Sequence, residues 1–149
     1  MKKFMQKKLN QKGLTLVELL AVIVILGIIA AIAVPAIGNI ITNSKVNALK
    51  GDAHNVLSAA QMYFTEKGGE SVTQAELITN GFLEDAGGFA AATGATAATV
   101  TKSTDVAKGN TITGAAVAKG VKVSFAASTK KDITDAENKG TTGTVTVTR

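Results

Sequence analysis

Residues 19–44 carry no formal charge, and from Leu19 to Gly38 the chain is almost wholly Leu, Ile, Val and Ala, broken only by Gly27, Pro35 and Gly38. Twenty helical residues at 1.5 Å rise cover roughly 30 Å, the thickness of a bilayer's hydrocarbon core. Five lysines, Lys2, Lys3, Lys7, Lys8 and Lys12, precede the run with no acid among them. Such a cluster stays on the cytoplasmic side of a membrane, so the remainder should face outward. The same lysines account for the whole net charge of +5, because from residue 14 onward eleven basic residues balance eleven acidic ones. That balance argues against a basic domain that coats nucleic acid. The 149 residues hold no cysteine, which excludes disulfides, thiolate zinc sites and cysteine nucleophiles. One histidine, His54, argues against a triad or a multi-histidine metal site. No catalytic residue, metal site or cofactor is indicated.

Three readings of the apolar run compete. A cleavable secretory signal would end at the A-x-A pattern Ala31-Ile32-Ala33 and release a soluble enzyme or binding module beginning at Val34. Against it, Glu18 opens the run, and apolar character continues through Ala36, Ile37, Ile40 and Ile41. A plain membrane anchor leaves Glu18 unexplained, since a carboxylate inside a bilayer costs on the order of 3 kcal/mol and usually has a partner. The third reading takes Gln11-Lys12-Gly13-Leu14-Thr15-Leu16-Val17-Glu18-Leu19-Leu20 as a single motif.

That string, with the basic leader before it and Pro35 after it, resembles the class III signal of type IV pilins and pseudopilins. The resemblance covers roughly residues 8 to 64. It implies that a prepilin peptidase cuts between Gly13 and Leu14, and that Leu14 becomes the N-methylated first residue. Glu18 is then the fifth mature residue, Gly27 the fourteenth and Pro35 the twenty-second. The family most often has Phe after the scissile bond, where this chain has Leu14. The implied fold is α+β: one long N-terminal helix, half of it membrane-spanning or filament-core and half amphipathic, packed on a small antiparallel sheet. The implied division is a leader at 1–13, the apolar helix at 14–44 and a globular head at 45–149.

Cleavage removes the leader lysines and creates an α-amino group with an ordinary pKa near 8. That amine and the Glu18 carboxylate are then the formal charges at the end of an apolar rod, and each is costly in a low-dielectric bundle unless they meet. The family's arrangement pairs Glu18 of an incoming subunit with the amine of a neighbour, which sets axial register. Gly27, Ala30, Ala31, Ala33, Ala36 and Gly38 let helix backbones approach closely. Pro35 removes a backbone donor, so a kink or local unwinding is expected near Ala31–Pro35.

Beyond Ser44 the pattern turns amphipathic. Val46, Leu49, Ala53, Val56, Leu57, Ala60 and Phe64 recur at three- and four-residue steps, while Lys45, Lys50, Asp52, Asn55 and Gln61 occupy other angles. His54 sits beside the stripe as a boundary residue. Gly68-Gly69 ends the helix, and Thr73-Gln74-Ala75-Glu76 reads as a capping box opening a short helix closed by Gly81. Residues 86–98 are a Gly/Ala/Thr loop expected to carry few packing groups. Period-two alternation marks strands at Val121–Phe125 and Val145–Thr148, with weaker ones around Thr99–Thr101 and Thr111–Val117. Glu84-Asp85 reads as a solvated turn. Residues 51–107 carry two lysines against seven acids, a net of −5; residues 108–149 carry six lysines and Arg149 against three acids, a net of +4. Complementary patches on successive heads would orient subunits in a filament.

The expected function is a structural subunit of a type IV pilus, not an enzyme. It would be stored as a single-pass membrane protein with a cytoplasmic N-terminus and then polymerised on the cell surface. Its partners would be copies of itself, the prepilin peptidase, a membrane assembly platform and an assembly ATPase. The alternative within the family is a competence or type II secretion pseudopilin of a short filament, and only the competence case would involve nucleic acid.

Overall fold

The computed structural model describes residues 2–90, 96–105, 107–138 and 144–148, and for residues 2–14 the backbone alone. The elements in order are α1 (Lys2–Glu66), β1 (Ser71–Thr73), α2 (Gln74–Thr79), a 3-10 turn (Gly87–Phe89), β2 (Thr96–Thr101), β3 (Thr111–Ala118), β4 (Val121–Ser128), α3 (Lys130–Asp135) and β5 (Thr144–Thr148). The chain divides into two units, Met1–Ile40 and Ile41–Arg149, and α1 contributes to both.

The first unit is helix alone. Pro35 lies inside α1, which stays helical on either side of it. The unwinding expected near Ala31–Pro35 is absent: proline costs the ladder one donor, and the flanking hydrogen bonds keep the helical dihedrals.

In the second unit the α1 stripe forms as its spacing predicts. Val46, Leu49, Ala53, Val56, Leu57, Ala60 and Phe64 are all buried, because three- and four-residue steps place them on one side of a 3.6-residue turn. They share one apolar core with Val100, Ile112, Val123, Phe125, Val145 and Val147 from the sheet. Lys50 departs from its expected place off the stripe and is buried at 8% exposure. At 100° per residue it lies within about 20° of Leu57, on the stripe itself, and residues 136–138 supply acceptors for its ammonium group.

The five strands lie in the order β1-β2-β3-β4-β5. The first three pairings are antiparallel, but β5 runs parallel to β4, with Val123 opposite Val145 and Phe125 opposite Val147. The sheet is thus small and mostly antiparallel, as expected, with β5 as the departure. After β4 the chain passes through α3 before returning, and a crossover of that kind lets β5 enter from the same end as β4, which a tight hairpin does not. Alternation along β4 and β5 buries Val121, Val123, Phe125, Val145 and Val147. At Gly114 (φ +154°) the β3 register shifts, and a Cβ there would stand 3.0 Å from Ala98 Cα.

The Thr73 capping box is present: Thr73 Oγ1 accepts from the Glu76 N–H, and the Thr73 N–H donates to Glu76 Oε2 at 2.8 Å. Thr129 and Asp132 form the same box at the start of α3. Among the described residues of 86–98 few side chains are buried, as expected. Phe89 and Ala98 are buried, and the Phe89 ring lies 5.7 Å from that of Phe125. The part of that stretch at 91–95 lies outside the described residues.

Candidate processing and assembly segment

Between residues 15 and 44 the sequence supplies a single ionisable side chain, Glu18, and it is exposed. Around it the apolar side chains are exposed as well: Leu16 is 67% and Ile32 is 70% accessible, against 0–4% for most of the core. None of the 18-residue window that qualifies α1 as a membrane span is buried within the chain. Burying one such side chain is worth about 1.5–3 kcal/mol. Leaving so many of them in water is untenable, so lipid or other helices must cover this segment. A helix apolar on every face has no side suited to solvent.

Gly27 and Gly38 fit that demand. A Cβ built at either position meets nothing within 4 Å, so nothing among the described residues requires glycine there. Small residues at such positions let another backbone approach. Leu14 and Glu18 lie one helical turn apart on α1. Of Gly13 and Leu14 the structure describes the backbone alone, within α1.

The second unit offers two polar features near α1. Lys50 Nζ donates to the Ala136 carbonyl at 2.5 Å and to Asn138 Oδ1 at 2.7 Å, and Asn138 Nδ2 donates to Asn47 Oδ1 at 2.7 Å. Burial lowers the Lys50 pKa below that of an ordinary lysine. Nothing in the local sequence announced this contact, because its acceptors lie 86 and 88 residues away. His54 is half-buried as expected, with Nε2 3.4 Å from Thr134 Oγ1. Its pKa lies below the usual imidazole value, mainly through burial and then through the charges of Lys130 and Lys50. Glu84 and Asp85 are exposed, and Asp85 Oδ1 accepts from the Gly87 N–H at 2.6 Å, as a solvated turn should. Among the described residues no cluster of three His, Asp or Glu is placed to hold a metal.

A family model described as the prokaryotic N-terminal methylation motif matches residues 8–34, which contain Gly13, Leu14 and Glu18. The chain is 42% identical over 59 residues to the type II secretion system core protein G of Pseudomonas aeruginosa, covering 40% of this chain and 41% of that protein. It is 34% identical over 104 residues to the fimbrial protein EcpC of Eikenella corrodens, 66% of this chain and 68% of that protein. It is also 34% identical over 95 residues to the type IV major fimbrial protein FimA of Dichelobacter nodosus, 60% of this chain and 61% of that protein. The chain thus spans from about two fifths to two thirds of the relatives it matches. No solved structure gives a significant match. A methylation-motif N-terminus, a long apolar helix and a strand-rich head on its amphipathic half agree with these relatives, and the chain belongs to the type IV pilin and pseudopilin family.

Proposed function

We propose that this protein is the structural subunit of a type IV pilus. A prepilin peptidase cuts between Gly13 and Leu14, Leu14 is N-methylated, and the leader at 1–13 is lost. The apolar helix at 14–44 then holds the subunit in the membrane with its N-terminus cytoplasmic, and later packs against copies of itself in an extracellular filament. The head at 45–149 faces outward. The carrying observation is the apolar segment itself, exposed on all sides and interrupted by no charge after Glu18. Lipid before assembly and neighbouring helices after it provide equivalent cover, so transfer between them costs little.

Glu18 supplies register. A carboxylate moving into a helix bundle is stabilised by the α-amino group of an adjacent subunit, and subunits out of step leave both charges unpaired. Pro35 is the weakest point of the helical ladder and the place where the segment bends as copies pack. An assembly platform and ATPase supply the work of extraction, and the chain's own role is assembly without turnover.

The experiment is the N-terminus and intact mass of the protein from cells and from sheared surface material. A chain beginning at methylated Leu14 in the sheared fraction is the expected result. A soluble chain beginning at Val34 would show that Ala31-Ile32-Ala33 is the signal and would end the pilus reading. A chain beginning at Leu14 but held in a short periplasmic or wall-spanning filament would instead identify a pseudopilin.

A further inference from the structure

Two open clefts of the second unit flank α1, and they differ in charge. One, of about 390 Å³, has Val56, Met62, Phe82 and Leu83 among its apolar lining and Asp52, Glu84 and Asp85 as its ionisable groups. The other, of about 310 Å³, holds Lys108, Lys130 and Lys131 and no acid in its lining. At 100° per residue, Asn55, Ala59 and Met62 beside the first lie roughly 150° around the helix from Leu57 and Gln61 beside the second. The charges are not all spent internally. Lys108 pairs with Asp105 at 3.5 Å and Lys131 with Asp135, but Lys130 donates to Ser58 Oγ and has no carboxylate partner among the described residues. Glu84, exposed, likewise has no hydrogen bond or ion pair among them. Met62, at 55% exposure, is an exposed large hydrophobic side chain of this unit, and it lines the acidic cleft.

We infer that these clefts are the two halves of a contact between successive copies of this chain, Lys130 of one head meeting the Glu84 cleft of the next. The two surfaces are unlike, so the contact is heterologous; such contacts close into rings or run on as open helices, and the pilus reading selects the open helix. Covering Met62 adds apolar burial, while the charges select orientation. This rests on the pilus reading and specifies which head surfaces meet.

The test uses full-length chain in its own cells, comparing Glu84→Lys, Lys130→Glu and the two together. Both sites are exposed, so the heads should fold. Each single reversal should lower sheared filament about tenfold at low salt, and the double variant should restore it to within about twofold. Singles that assemble normally, or a double variant that recovers nothing, overturn the inference. The pilus reading is scored separately by the wild-type chain: Leu14-initiated protein in its sheared fraction upholds that reading whatever the variants do. Because the chain has no cysteine, Glu84→Cys with Lys130→Cys gives a second measurement. Oxidised filaments should yield a ladder of multimers, and filaments without a ladder overturn the contact.

Discussion

The two halves of α1 differ both in how much Leu, Ile, Val and Ala they carry, 19 of the 23 residues 19–41 against 8 of the 19 residues 46–64, and in how they arrange it. In the first half, Leu19 to Ile41 present apolar groups at every angle, and all the large ones are exposed. In the second, Val46 to Phe64 gather theirs onto one side, and that side is covered by strands of the same chain. Apolar content and its angular distribution together decide what covers a helix. A stripe is satisfied by one sheet within the chain, whereas a uniformly apolar cylinder needs a surrounding solvent of lipid or helices.

The largest expected effect breaks the first half's function and leaves the second half folded. Glu18→Ala removes the register charge: N-terminal sequencing should still find Leu14 exposed by cleavage, while sheared filament falls by about 100-fold, the equivalent of roughly 3 kcal/mol. Abundant normal filaments from this variant would sink the register role.

Next in size is a paired substitution that reads the comparison directly. Leu57, 1% exposed, should cost about 2–5 kcal/mol of head stability as Leu57→Ala. Val24, 54% exposed, should change it by under about 0.5 kcal/mol as Val24→Ala. Near-UV circular dichroism of the detergent-solubilised full chain during thermal unfolding separates the two. Equal shifts would mean that the first half is also packed within the chain.

A smaller effect lies at Lys50. Lys50→Met keeps much of the stem but strands the Ala136 carbonyl and Asn138 Oδ1, which should cost about 1–3 kcal/mol in the same assay. A neutral outcome would show that water replaces the ammonium group without loss.

The smallest is a pH dependence. The His54 pKa is lowered in the folded head, so between that value and the unfolded value near 6.5 the unfolded chain binds more protons. Stability from this group is present above pH 6.5 and is lost as pH falls through the window below it. His54→Gln should flatten that part of the profile, and identical slopes in the two proteins would remove His54 from the balance.

Local rules were legible where neighbours in sequence are also neighbours in space. The stripe from Val46 to Phe64, the Thr73–Glu76 box, and the alternation of Val121–Phe125 and Val145–Thr148 each follow from a repeat of a few residues. The short helix at Lys130–Asp135 was written in the Thr129–Asp132 box, but Ile133 alone gives it a buried face. Phe89 is the one bulky residue in a Gly/Ala-rich stretch, and no repeat in the neighbouring sequence says that it packs in the core. Its place in the core depends on Gly88, whose N–H donates to Asp52 Oδ2 at 2.7 Å from 36 residues away. A Cβ on Gly88 would run into Leu49 Cδ2 and stand 3.1 Å from Ala116 Cβ.

The sequence by itself determined the uncharged run, the Gly13–Glu18 motif and the stripe, because composition and periodicity act over a few turns of helix. Only the tertiary structure decided that β5 lies parallel to β4, that Lys50 is buried under residues 136–138, and that acidic and basic clefts flank one helix. Each of those joins segments tens of residues apart. Such contacts are set by which surfaces remain to be covered once the local elements have formed.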